Sequence, residues 1–166
     1  MRSADLAGNQ LGMVATLALW MSRPYRFPVK LTVKSDYAAR AVLELARSAE
    51  SGQARRADSL AKAAGVSANY LVQILIELKS RGIVKSVRGK EGGYLLAKKP
   101  SEITLGDVLR CIHGEVFDTP ALDNEDCPAE LRAAWGNLQK AASEAADQVT
   151  FQKLVEQGAK EEMYYI

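Results

Sequence analysis

Between Lys79 and Lys99 seven lysines and arginines stand against a single acid, Glu91. In their midst lies Arg88-Gly89-Lys90-Glu91-Gly92-Gly93, a glycine-rich turn carrying two cations. Residues of these types hold phosphate by charge and by close backbone approach, and they break no covalent bond. The turn is a weak look-alike of a nucleotide phosphate loop, because the closing Lys-Ser/Thr and the helix after it are absent. No catalytic constellation accompanies it. The chain has one histidine, His113, no Gly-x-Ser-x-Gly and no paired metal motif, which argues against an enzyme. Two cysteines, Cys111 and Cys127, in 166 residues make no disulfide scaffold and suit a reducing cytoplasm.

The elements that must present this turn are legible around it. Asp58 is expected to cap a helix over Ser59 to Ala64, and Gly65 to supply a turn. Ser67 then caps a longer helix, Ala68 to Ser80, with Leu71, Ile74, Leu75 and Leu78 as its inward stripe. Gly82 stops that helix after Lys79 and Arg81, two cations well placed for the helix dipole. Ile83 to Val87 and Tyr94 to Ala97 read as strands on either side of the turn. Helix, tight turn, helix, basic hairpin is the order of a winged helix-turn-helix, which lays one helix in the DNA major groove. Winged helices also serve in protein complexes, so a protein-interaction module is the alternative. The cations of Lys79 to Lys99 favour DNA over it.

Upstream, Ser35 to Glu50 carries apolar residues at 38, 41, 42, 45 and 46, the spacing of one helical face, with Ser35 or Asp36 as cap. Arg55-Arg56-Ala57 is short enough for a small strand against the hairpin. Downstream, Thr104 caps a helix through Leu105, Val108, Leu109 and Ile112, closed by Gly114. Glu115 to Cys127 is a 13-residue acidic loop, a length that is often functional. Pro128, at an N1-type position, opens an alanine-rich helix to about Val149. Leu131, Ala134, Trp135, Leu138, Ala142 and Ala145 fall at helical spacing along it. Thr150 starts a shorter helix containing Phe151, Leu154 and Val155.

With 48% hydrophobic and 25% charged residues, a buried core is expected and wholesale disorder is not. The net charge of +2 hides an asymmetry. Residues 29–110 hold 15 Lys/Arg against 8 Asp/Glu, whereas residues 111–166 hold 4 against 11. A basic front and an acidic rear suit a front that meets phosphate. The expected fold is mainly α with a small β-wing: a winged helix-turn-helix domain over residues 29–100, a linking helix and acidic loop over 101–127, and a long dimerisation helix with its tail over 128–166. Residues 1–28 contain an 11-residue apolar run, Leu11 to Met21, too short to span a bilayer. They are expected to be an upstream extension, with Val29 the natural start; the alternative is a short amphipathic helix. No membrane partner is expected.

Three segments together resemble one family. LTVKSDYAARAVLELA, GVSANYLVQILIELKSRGIVKSVRGKEGGYLLAK and ITLGDVLRCIHG are similar to the Rrf-two (Rrf2) family of bacterial transcription regulators, over Val29 to about Val155. The wing signature SVRG-x-x-GGY-x-L is the most specific part. The resemblance implies a homodimer that crosses long C-terminal helices and binds double-stranded DNA at a pseudo-palindromic operator. It puts Ser67, Asn69, Tyr70 and Gln73 at the operator-facing start of the recognition helix, where residues contact base edges and Gln pairs with adenine. It assigns Arg88 to the minor groove, whose narrow A·T-rich form attracts a lone arginine. Lys79 and Lys90 join the DNA-facing set, Lys90 on phosphate, while Gly92 and Gly93 allow the wing its turn and close approach. One departure is Val72, where many relatives carry an acid able to select cytosine.

The family includes iron–sulfur cluster regulators, nitric-oxide-sensing repressors and cysteine-metabolism repressors. Its cluster-bearing members use three cysteines ahead of the dimerisation helix; this chain has Cys127 alone there. A three-thiolate iron–sulfur site within one subunit is therefore excluded, and no cofactor or metal is favoured. The alternative is a redox- or nitric-oxide-sensing regulator with a mixed cluster site of Cys127, Asp36 from the other subunit, and His113 or Cys111. The plainer roles are a buried small hydrophobe for Cys111, a helix-end surface residue for His113 and a dipole-favoured carboxylate for Asp36. The acids Asp123, Glu125, Asp126 and Glu130 around Cys127 oppose its thiolate. Cluster-free relatives are the better pattern, responding to an effector protein or small ligand near the dimer helix, with the acidic loop and Trp135 as contacts.

Overall fold

The computed structural model describes residues 31–163; the expectations for residues 1–28 and for the Tyr164-Tyr165-Ile166 tail lie outside them. The elements in chain order are α1 (Val33–Arg47), α2 (Ala57–Ala64), α3 (Ala68–Ser80), β1 (Val84–Val87), β2 (Gly93–Leu96), a 3-10 turn (Pro100–Glu102), α4 (Leu105–His113), α5 (Ala129–Asp147) and α6 (Phe151–Met163). β1 and β2 form an antiparallel ribbon with Val84 opposite Leu96 and Val87 opposite Gly93. The mainly helical fold with a small β-wing is as the sequence predicts.

Helix α3 has the expected bounds, and its stripe of Leu71, Ile74, Leu75 and Leu78 is fully buried. Gly65 ends α2 in the left-handed region at φ 71°, and Gly82 ends α3 at φ 69°. The Ile83 amide then reaches back to the Leu78 carbonyl, so the chain turns into β1 with its amides satisfied. Thr104 caps α4 and shares a capping box with Asp107, whose carboxylate accepts from the Thr104 amide at 2.9 Å.

Several caps differ from the sequence expectation. Helix α1 starts at Val33 under Thr32, not under Ser35 or Asp36. Ser35 is instead buried, its hydroxyl bonded to the His113 ring, while Asp36 sits in the first turn and pairs with Arg40 at 2.7 Å. Arg56, not Asp58, is the cap residue of α2. The Arg55 strand shrinks to a single bridge with Tyr94, because Ala57 is already helical. Ser67 caps α3 without a side-chain hydrogen bond, and Pro128 is the cap of α5 rather than its first helical residue. Helix α5 stops at Asp147, two residues short of Val149, while Thr150 bridges Thr104 and starts α6 as expected, accepting from the Lys153 and Leu154 amides.

The core gathers Ala38, Ala41, Val42 and Leu45 of α1, Leu60 of α2, the α3 stripe, Ile83, Val84 and Leu96 of the ribbon, and Ile103 and Val108 around α4. Phe151 of α6, fully buried, joins the same cluster. Its amide donates to the Ile103 carbonyl at 3.0 Å, and Leu105 donates to Val149 at 2.8 Å. Arg110 of α4 adds ion pairs to Asp107 and to Asp147 at the end of α5. The C-terminal helices are thus anchored at the α5–α6 junction to α4 and to the core built by α1–α3. Along α5 itself only Ala146 is buried; Leu131 and Leu138 are 46% and 45% exposed.

Candidate nucleic-acid interface

Helix geometry divides α3 into two faces. At about 100° per residue, Asn69, Gln73 and Ser80 lie opposite the buried stripe. All three are exposed, as are Ser67 and Tyr70. Tyr70 is braced by Tyr37 of α1, edge-on at 6.2 Å between ring centres, and Arg40 stands 5.9 Å over the Tyr37 ring. Sequence reasoning missed this aromatic brace, since Tyr37 and Tyr70 are far apart in the chain. Glu77, the one acid on α3, is drawn aside by Lys34 at 2.7 Å.

The wing is fixed to the end of this helix. Lys79 Nζ donates to Ser86 Oγ at 2.6 Å, so Lys79 spans from α3 to β1. From the other side Arg56 donates to the Lys90 carbonyl at 3.0 Å, and the Arg55 and Tyr94 backbones exchange hydrogen bonds at 2.9 and 2.8 Å. That exchange explains Gly93: a Cβ there would collide with the Arg55 carbonyl. A Cβ on Gly92 would lie 2.6 Å from the Val87 carbonyl. The left-handed turn residue of the wing is Gly89, at φ 118°, not Gly92 or Gly93. Arg88 and Lys90 project from the tip, exposed, and neither has an ion-pair partner among the described residues.

The candidate metal ligands do not converge. Among the described residues no three His, Cys, Asp or Glu side chains are placed to hold a metal ion. Asp36 faces Arg40, and the His113 ring is engaged by Ser35 and lies 3.2 Å from Thr32 Oγ1. Cys127 is buried, with its thiol 3.7 Å from the Pro128 carbonyl it donates to. Cys111 is half-buried against the core; burial pushes its thiol pKa up, and Arg81 opposes this only in part. Trp135 of α5 stacks on Phe117 of the acidic loop, 6.2 Å between centres and 24° between planes. Among the described residues no single helix is long and apolar enough to cross a membrane.

Residues 31–157 match the model of Rrf2, described as an iron-dependent transcriptional regulator. The chain belongs to the Rrf2 family. The HTH-type transcriptional regulator CymR of Bacillus subtilis is 33% identical over 141 residues, covering 83% of this chain and all of CymR. IscR of Aliivibrio salmonicida is 34% identical over 131 residues, 76% of this chain and 77% of IscR. The structure of CymR, described as the global cysteine regulator of B. subtilis, superposes with a TM-score of 0.69 at 30% identity, covering 78% of this chain and 98% of CymR. IscR of T. potens gives 0.68 at 28% identity, over 79% and 89% of the two chains. This Rrf2 chain is accordingly a winged-helix, DNA-binding transcription regulator and not an enzyme.

Proposed function

We propose that the chain acts in the cytoplasm as a homodimer on a pseudo-palindromic operator, each protomer setting α3 in a major groove and its wing in the adjacent minor groove. In this reading residues 29–100 read DNA, 101–127 link and sense, and 128–166 dimerise. Ser67, Asn69, Tyr70 and Gln73 face base edges; Arg88 enters the minor groove; Lys79 and Lys90 hold phosphate; Gly92 and Gly93 keep the wing in place. The observation that carries the reading is the polar, exposed face of α3 with the cationic wing tied beside it through Lys79 and Ser86. The exposed Leu131 and Leu138 support a partner along α5, since soluble chains rarely leave such a stripe bare. Two readers related by a two-fold axis demand half-sites about one helical turn apart.

Regulation is proposed to be independent of a three-cysteine cluster, through an effector protein or small ligand near the stacked Phe117 and Trp135. Replacing Arg88 with Ala tests the interface. Operator affinity at fixed salt is expected to fall by about 1–3 kcal/mol, and an unchanged affinity would remove the wing from the interface. Iron content and visible absorbance of protein purified without oxygen test the cofactor reading. A colourless, iron-free dimer that binds DNA agrees with it; a coloured, iron-loaded one contradicts it.

A further inference from the structure

We propose that Ile76 reads the C5-methyl group of a thymine in each operator half-site, next to the bases met by Asn69 and Gln73. The inference rests on the operator-binding reading above and adds a base identity to it.

Ile76 is 51% exposed although it belongs to a well-packed helix. At about 100° per residue it falls within roughly 60° of Gln73, on the same arc as Asn69 and Ser80 and away from the buried leucines. It is thus an apolar side chain in the middle of a polar face. Nothing in the protomer's core requires it there, because Leu71, Ile74, Leu75 and Leu78 already fill that side. Val72, one turn earlier and half-buried, extends the apolar strip, and the next residue, Glu77, is held by Lys34. The strip therefore presents no free carboxylate. A β-branched side chain in a helix has one strongly preferred rotamer, so the ledge is already formed before DNA arrives.

The flanking chemistry selects the occupant. Lys79 stands one turn along the helix, and Arg88 and Lys90 lie on the wing tied to it, a cationic setting that favours a duplex over a second copy of this chain. In the major groove thymine alone offers a methyl group to an apolar contact; cytosine, of the same size, does not. Ile76 thereby discriminates T from C without a hydrogen bond.

The test uses the full-length protein. Its operator is first enriched from random duplex DNA. Each half-site thymine is then replaced in turn by deoxyuridine, which keeps the pairing edge and deletes only the methyl group. Wild-type affinity at fixed salt is expected to fall about fourfold per half-site at one thymine position, the worth of one methyl-sized contact. Ile76→Ser, a change at a solvent-facing position, is expected to bind the unmodified operator at that reduced level and to ignore the same deletion. Wild-type protein indifferent to every deletion overturns the inference, and so does a serine variant as sensitive as wild type. A protein that enriches no sequence overturns the operator reading itself, and the inference with it.

Discussion

Helices α3 and α5 are both amphipathic, yet they resolve their apolar faces differently. The stripe of α3 disappears into its own protomer: Leu71, Ile74, Leu75 and Leu78 are all fully buried. The stripe of α5 buries only Ala146 and leaves Leu131 and Leu138 nearly half exposed. The inward stripe of α3 is therefore covered within one chain, whereas that of α5 carries apolar surface that the described residues leave exposed. On the proposed reading stability rests on α3 and assembly on α5, and substitutions should separate them.

The largest effect is expected from charging the rear. Leu131→Asp combined with Leu138→Asp should abolish dimerisation and lower operator affinity by two orders of magnitude or more, since a half-site alone loses the partner's contacts. Sedimentation should show a folded monomer with unchanged helical circular dichroism. A dimer that persists would break the contrast between α3 and α5. Leu75→Ala probes the opposite side. It should cost about 2–5 kcal/mol in denaturant unfolding by opening a cavity in the core, with the oligomeric state of the remaining folded fraction unchanged.

A smaller change should affect the wing alone. Gly93→Ala forces a methyl group against the Arg55 carbonyl and should loosen the ribbon at a cost of about 1–3 kcal/mol. Faster amide exchange at Tyr94 and Arg55, with protection of the α3 stripe retained, is the expected signature; uniform loss of protection would show that ribbon and core open together.

The smallest expected effect lies at the α4–α5 junction. Burial works against the charged form of Asp107, but hydrogen bonds from the Thr104 amide and hydroxyl, with the Arg110 guanidinium, hold its carboxyl below its ordinary value. A carboxyl depressed in the folded state adds stability above its unfolded value near pH 4, and that stability is lost as pH falls through the folded value. Asp107→Asn should therefore cost stability at pH 7 and much less at pH 3, measured by denaturant unfolding at both. A pH-independent difference would contradict the assignment.

The parts legible in the sequence were those governed by local rules. Helix α3 has a strong 3.6-residue period, a Ser67 start and a Gly82 stop, and its bounds emerge directly. Thr104 and Gly114 mark α4 for the same reason. The start of α1 was ambiguous because Thr32, Ser35 and Asp36 are all capping types; in the fold Thr32 takes the cap, while Ser35 is buried with its hydroxyl bonded to the His113 ring and Asp36 pairs with Arg40. Gly93 reveals its purpose only through Arg55, 38 residues earlier in the chain. Phe151 reads as part of a short C-terminal helix, and only the fold carries it into the same core as α1–α3 and the ribbon. Within the interface, the wing cations are plain in the sequence, whereas the Tyr37–Tyr70 brace, the Lys34–Glu77 pair and the exposure of Ile76 need three dimensions.

Hydroxyl-radical footprinting of the enriched operator bound by the full-length protein is the most direct test. Two protected patches on one face of the duplex, about one helical turn apart and weakened together by Arg88→Ala, are the expected result. A single patch, or protection that Arg88→Ala leaves intact, would contradict a paired reader that docks through α3 and its wing.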